Sequence, residues 1–211
     1  ARSSTRKGPN ASQELNEVCG LWDDDSTVHP DWAAALEGAG PALGDVPNQA
    51  LAADAKAMVT AHRTVMCAEG AQAYGDMLKD DRADQLQPKF RAGLEAGLQT
   101  SPAELADAKA MLEEATTHFW QNLDGFSLVV TLPGPEGPPL LTEGTTGFQN
   151  WLEPWTVLGG PLLSRPGGTE RNSLPCAVML AARPGHDRWL MDIAAQLEAQ
   201  APSSPAPQLP L

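Results

Sequence analysis

Nucleophilic catalysis needs a serine or cysteine held beside a base, usually with backbone donors for an oxyanion. Ser3, Ser4 and Lys7 carry the right atoms, but they lie in a polar Ser/Arg/Lys-rich tail with no rigid scaffold. His29, His62, His118 and His186 are far apart in the chain, and none stands at metal-ligand spacing from another His or Cys. Packing or surface roles are expected of all four. CxxC and HExxH are absent, so no zinc site is expected. Asp23, Asp24 and Asp25 lack the glycine and the later glutamate of a calcium loop and read as a solvated turn. Gly159-Gly160 and Gly167-Gly168 fit neither GxGxxG nor GxxxxGK[ST], so they read as turns rather than a phosphate cradle. The residues alone therefore name no catalytic residue, no metal and no cofactor.

The stretch GFQNWLEPWTVLGGPLLSRPGGT, residues 147–169, is the richest in recognition chemistry. A small-molecule pocket needs apolar and aromatic lining with a few placed polar groups. Phe148, Gln149, Trp151, Trp155 and Thr156 supply that mix. The competing reading of both tryptophans is packing in the core. Gly159, Gly160 and Pro161 would shape the adjoining turn.

The surrounding elements follow from periodicity and punctuation. Leu15–Trp22 is a short apolar run closed by DDDST, as expected of a buried strand. Asp31 can cap a short helix that Gly38 or Gly40 can end. Residues 49–79 lack proline and carry Leu51, Ala55, Met58, Val59, His62 and Met66 at helical spacing, which predicts a long helix that Gly70 weakens. Residues 100–123 open with Ser101, Pro102 and Glu104, a capping box, and line one face with Leu105, Ala108, Leu112, Ala115 and Phe119. Then FSLVVTLP reads as a strand, 133–146 as a long irregular loop, and GPLLS and PCAVMLAA as further strands. A last helix starts near Asp187 and buries Trp189, Leu190, Ile193, Ala194 and Leu197.

Strands that are apolar throughout need cover on both faces. The expected fold is therefore α/β, a mixed β-sheet sandwiched by helices and at least partly parallel. One domain is expected over residues 14–200, with tails at 1–13 and at the Pro/Ser-rich 201–211. The chain has 211 residues with 27 Asp+Glu against 14 Lys+Arg, a net charge of −13. That excess repels phosphate backbones and anionic membrane surfaces, so neither nucleic acid nor membrane is expected as a partner. Cys19, Cys67 and Cys176 are odd in number and widely spaced, which reads as reduced thiols of a cytoplasmic protein.

In TGFQNWLEPWTVLGGPLLSRPGG, then LPCAVMLAARPGHDRWLMDIAAQLE, the chain resembles the carboxy-terminal part of the amidase signature family. The shared pattern is Trp-Thr before an L-G-x-P turn, an apolar strand, P-x-G, an L-P strand, G-x-D and a last helix ending in L-E. Upstream, FRAGLEAG, a long helix and Asp124 before a strand ending in Pro133 are similar to the family's middle region, and LNEVCGLWDDDSTVHPDWAAALEGAG to the strand and helix after its catalytic core. The resemblance spans about residues 86–199 and is looser over 15–85. It implies half of an α/β/α fold and amide hydrolysis through a Ser-cisSer-Lys triad. The sequence contains neither the GGSS-like loop nor the triad lysine, so it implies a partner polypeptide that carries the catalytic serine, with this chain shaping the pocket for a small amide. The alternatives are a binding or scaffold protein that kept the fold without the reaction, and a fragment of a transfer-RNA amidotransferase glutaminase-type subunit.

Overall fold

A computed structural model describes residues 17–20, 27–39, 50–51, 54–79, 81–144, 147–169 and 174–200. The two expected tails, the Asp23–Asp25 turn, the Ser3/Ser4/Lys7 group and Gly40 lie outside these residues.

Four strands form one mixed sheet in the order β1-β2-β4-β3, where β1 is Glu17–Cys19, β2 Leu128–Thr131, β3 Leu162–Thr169 and β4 Pro175–Ala182. β1 runs parallel to β2, whereas β2 with β4 and β4 with β3 are antiparallel. All of β2 and nearly all of β4 are buried. Successive side chains of a strand point to opposite faces, so both faces of the central pair are covered. The cover includes α1 (Pro30–Ala39) and α6 (Asp187–Gln200), which both pack on β3 and β4. Trp32, Ala35 and Leu36 from α1 and Trp189, Leu190 and Ile193 from α6 join Val129, Leu180 and Ala181 in one continuous core. The expected helix-covered mixed sheet is thus the observed one.

Three helices form a second layer: α2 (Ala55–Tyr74), α3 (Pro88–Gln99) and α4 (Pro102–Asn122). α2 is the helix expected over 49–79, but it runs intact through Gly70 and buries Ala55, Met58, Cys67, Ala68 and Ala71. Met66, expected on the inner face, is 54% exposed. The buried side shifts along the helix because Ala55 and Met58 join the main core, whereas Cys67 and Ala71 meet α3.

α4 begins on the capping box that its sequence announces. The Ser101 hydroxyl accepts from the Glu104 amide at 3.2 Å, and the Glu104 carboxylate accepts from the Ser101 amide at 2.8 Å. That backbone hydrogen bond, followed by the one to the side chain, holds the Glu104 carboxyl below its ordinary 4.5. A lowered carboxyl value means stability that is present above the ordinary value and is lost as pH falls through the folded one. Ser101→Ala should lower stability by about 1 kcal/mol in urea titrations at neutral pH. The difference from the unsubstituted chain should narrow below pH 4.5 as Glu104 protonates; a difference that widens there would contradict the cap's role.

Two α-helices were not expected. α3 carries Gly93 and Gly97 within FRAGLEAGL, and glycines weaken a helical reading. The other is α5, treated next. In β3 the expected segment GPLLS is only the beginning, since the strand continues through Arg165 and Pro166 to Thr169 with a bulge between Pro166 and Gly168. Gly167-Gly168 is therefore part of a bulged edge strand and not a turn. β3 is also not apolar and covered throughout, because Leu162, Ser164, Pro166 and Gly168 are exposed. α1 departs at its start, where the Asp31 amide donates to His29 Nδ1 at 3.3 Å while Asp31 lies in the first turn.

Candidate functional site

The recognition stretch folds as α5 (Gln149–Leu158), with Pro154 inside it. A proline removes an amide donor and disfavours helix for the residue before it, which is why sequence alone left the segment without a helix. Tertiary contacts fix its two ends. Phe148 sits at the start, where its ring leaves no room for a side chain at Gly134: a β-carbon there would lie 2.9 Å from Phe148 Cδ2. At the other end Gly159 adopts a left-handed φ of 66° and its amide closes onto the Trp155 carbonyl at 3.3 Å. Gly160 then passes so near the sheet that a β-carbon would stand 2.2 Å from the Ala182 carbonyl oxygen and 3.0 Å from Trp120. Both glycines are thus required by geometry, the first by its φ and the second by close approach.

Trp151 and Trp155, four residues apart, share the inner face of α5 and are each 1% exposed. Trp155 meets Phe119 of α4 edge-on, with ring centroids 5.6 Å apart. Phe119 in turn meets Trp120 edge-on at 4.9 Å. Within this chain both indoles are core residues. Phe148 is partly buried, and Gln149 and Thr156 are exposed. The five residues expected to form a pocket wall therefore share one helix and its first flank, split between an inward pair and a more accessible trio.

Two residues that sequence reasoning passed over tie α5 in place. Trp120 donates its indole N–H to the Leu158 carbonyl at 3.0 Å. Arg183, just after β4, donates to the carbonyls of Trp120 and Leu123 at 2.8 and 2.6 Å, satisfying groups at the end of α4. Its guanidinium also lies 5.6 Å from the Trp120 ring centroid. Arg183→Met should lower stability by about 2 kcal/mol, since charged hydrogen bonds to buried-side carbonyls are lost. Arg183→Lys should recover only part of it, because one ammonium cannot reproduce the planar fork. Recovery of the full stability by lysine in a denaturant titration would contradict this account.

His62, read as part of a helical core stripe, faces Glu153 of α5, with Nδ1 3.7 Å from the carboxylate. Beside it a shallow cleft of about 300 Å³ is lined by His62, Leu112, Glu113, Thr116, Thr117 and Val157. A second cleft of about 470 Å³ lies between α2 and α4, lined by Asp54, Lys56, Ala57, Thr60, Ala61, Ala108 and Met111. In neither cleft does a hydroxyl hydrogen-bond a basic side chain; Thr60 donates instead to the Lys56 carbonyl at 2.9 Å. Among the described residues no three His, Cys, Asp or Glu side chains gather as a metal site, and no helix is long and apolar enough to cross a membrane.

No protein-family model and no curated protein sequence matches the chain. Comparison with solved structures, in contrast, gives matches over about nine-tenths of its length. An amidase superposes with a TM-score of 0.72 at 21% identity, covering 92% of this chain and 46% of that one. A bacterial aryl acylamidase of the amidase signature enzymes family gives 0.69 at 12% identity, covering 90% and 44%. A structure described as an unexpected vestigial protein complex that reveals the evolutionary origins of an s-triazine catabolic enzyme gives 0.73 at 19% identity, covering 88% and 43%. The chain has the fold of a part of these proteins and spans just under half the length of each.

Proposed function

We propose that this chain is one subunit of an amide hydrolase whose Ser-cisSer-Lys triad resides on a second polypeptide. The observation that carries the reading is the fold match: nearly all of this chain superposes on amidases while leaving more than half of each unmatched. The sequence of this chain has no GGSS-like loop, so the chemistry falls to the other half. In the reaction a partner serine attacks the amide carbonyl, and the lysine acts through the second serine as base. Amine then leaves and water releases the acid.

α5 supplies the wall of the substrate pocket. Phe148, Gln149 and Thr156 present accessible atoms, and Trp151 and Trp155 anchor the helix behind them. The aromatic content favours an amide with an aryl or hydrophobic acyl group. Buried free thiols at Cys67 and Cys176 are in keeping with a reducing, cytoplasmic setting. The net charge of −13 argues against direct contact with transfer RNA and so against the glutaminase-type reading.

The test is intact mass spectrometry of natively purified material treated with a fluorophosphonate serine-hydrolase probe. A probe-labelled second chain held by the unlabelled 22.3 kDa chain is the expected result. A stable, unlabelled single chain would overturn the subunit reading and leave a binding or scaffold protein on a hydrolase fold.

A further inference from the structure

The imidazole of His62 is held asymmetrically. Its Nδ1 is buried without a hydrogen-bond partner and stands 3.7 Å from the Glu153 carboxylate. A carboxylate only accepts, and a nitrogen lone pair turned toward it would be repelled. The hydrogen of the neutral ring therefore belongs on Nδ1, which leaves the lone pair on Nε2. The side chain as a whole is 24% exposed while Nδ1 is not. Its accessible part is thus the far side of the ring, where Nε2 lies.

His62 borders the cleft of about 300 Å³ formed with Leu112, Glu113, Thr116 and Thr117 of α4 and Val157 of α5. Leu112 and Val157 pack against the core and give the cleft an apolar lining. Thr60 and Thr64 of α2 return their hydroxyls to carbonyls four residues back, at 2.9 and 3.2 Å. Among the described residues Thr116 and Thr117 take no such partner, so their hydroxyls stay available to a ligand. Glu113 adds a carboxylate. Among the described residues no Lys or Arg lines the cleft, and Lys109, also on α4, is engaged by Glu69 at 2.7 Å. The polar groups are therefore acceptors with no fixed cation among them.

We infer that this cleft binds a small primary ammonium carried on an apolar body, such as an arylmethyl- or alkylammonium ion. The three N–H donors meet His62 Nε2, the Glu113 carboxylate and a threonine hydroxyl, and the body covers Leu112 and Val157. That cover excludes water and strengthens the charged contacts. An anion would face Glu113 and the Nε2 lone pair together, and a purely apolar molecule would leave these groups unpaired. The net charge of −13 concentrates cations around the chain. Glu153 is a positioning residue: it fixes the ring so that Nε2 is the acceptor. The inference stands without the subunit reading.

The probe that tests it is benzylammonium chloride, titrated into natively purified protein labelled with nitrogen-15 at histidine. In long-range proton–nitrogen spectra at mildly alkaline pH, His62 should show an unprotonated Nε2 whose signal moves with a Kd of about 1 mM. His29 and His186 should stay in place. Glu113→Gln, an exposed change, should weaken binding about fivefold, and His62→Leu about tenfold or more. Glu153→Gln leaves the lining intact but should shift His62 toward the Nε2–H form and weaken binding with it. Benzyl alcohol, with the same ring and no charge, should bind about tenfold more weakly. A His62 that carries its hydrogen on Nε2, shifts of equal size at His29 and His186, or undiminished binding by Glu113→Gln would each overturn the inference. Tighter binding of Nα-acetyllysine amide than of benzylammonium would give the cleft to a protein side chain and overturn the small-amine assignment.

Discussion

Trp155→Ala should lower the stability of the isolated chain by about 4 kcal/mol, the cost of emptying a large aromatic from a packed interior. For a domain of this size that corresponds to a fall of about 8–16 °C in the unfolding midpoint. The indole is 1% exposed and stands edge-on to Phe119, so truncation loses both burial and the favourable ring geometry. Its helix is short and interrupted by Pro154, and therefore depends on this anchoring more than on its own propensity. Thr156→Ala, one residue on and exposed, should stay within about 0.5 kcal/mol. Urea denaturation of the two variants side by side checks the contrast. A loss below about 1.5 kcal/mol for Trp155→Ala would mean that the inner face of α5 is not core, and the anchoring role assigned to it would fail.

Gly97→Ala should cost about 3 kcal/mol, although alanine is the better helix former. A β-carbon at Gly97 would lie 1.9 Å from the Cys67 carbonyl oxygen and 2.8 Å from Ala71 Cβ. The obstacle is backbone, so α2 and α3 must move apart. Gly93 is four residues earlier on α3, and the nearest group to a β-carbon there is Cys67 Sγ at 3.8 Å, an ordinary contact. Gly93→Ala should therefore raise stability by about 1 kcal/mol through helix propensity. Opposite signs from the same substitution one helical turn apart are the expected result, read from thermal midpoints. Two losses of equal size would show that the α2/α3 contact is not what makes Gly97 costly.

These two cases also mark where sequence reading works and where it stops. α4 was legible because its signals are local: Ser101, Pro102 and Glu104 act within one turn, and they form the hydrogen bonds their spacing implies. β4 was legible for a related reason, since an apolar run between turn residues has few other ways to bury itself, and Pro175–Ala182 is the observed strand. The helical nature of α5 was not legible, because Pro154 speaks against helix locally and the elements that override it are distant. Phe119 and Trp120 lie on α4 and Arg183 follows β4. Gly97 was unreadable in the same way, since a glycine required by another helix's carbonyl looks like a glycine that merely weakens its own.

The candidate site divides along the same line. Composition and the 147–169 stretch selected Phe148, Gln149, Trp151, Trp155 and Thr156 by residue type, and type is a local property. Which of them face the core and which face outward depends on the side of α5 that meets α4 and the sheet, and that depends on contacts tens of residues away. By itself the sequence determined an acidic α/β chain with a covered mixed sheet and a capped long helix. Only the tertiary structure decided the strand order β1-β2-β4-β3 and placed the bulge and Pro166 in the edge strand β3. Local signals are carried by neighbouring residues and survive in any context, whereas sheet order and edge exposure are properties of pairings between segments far apart in the chain.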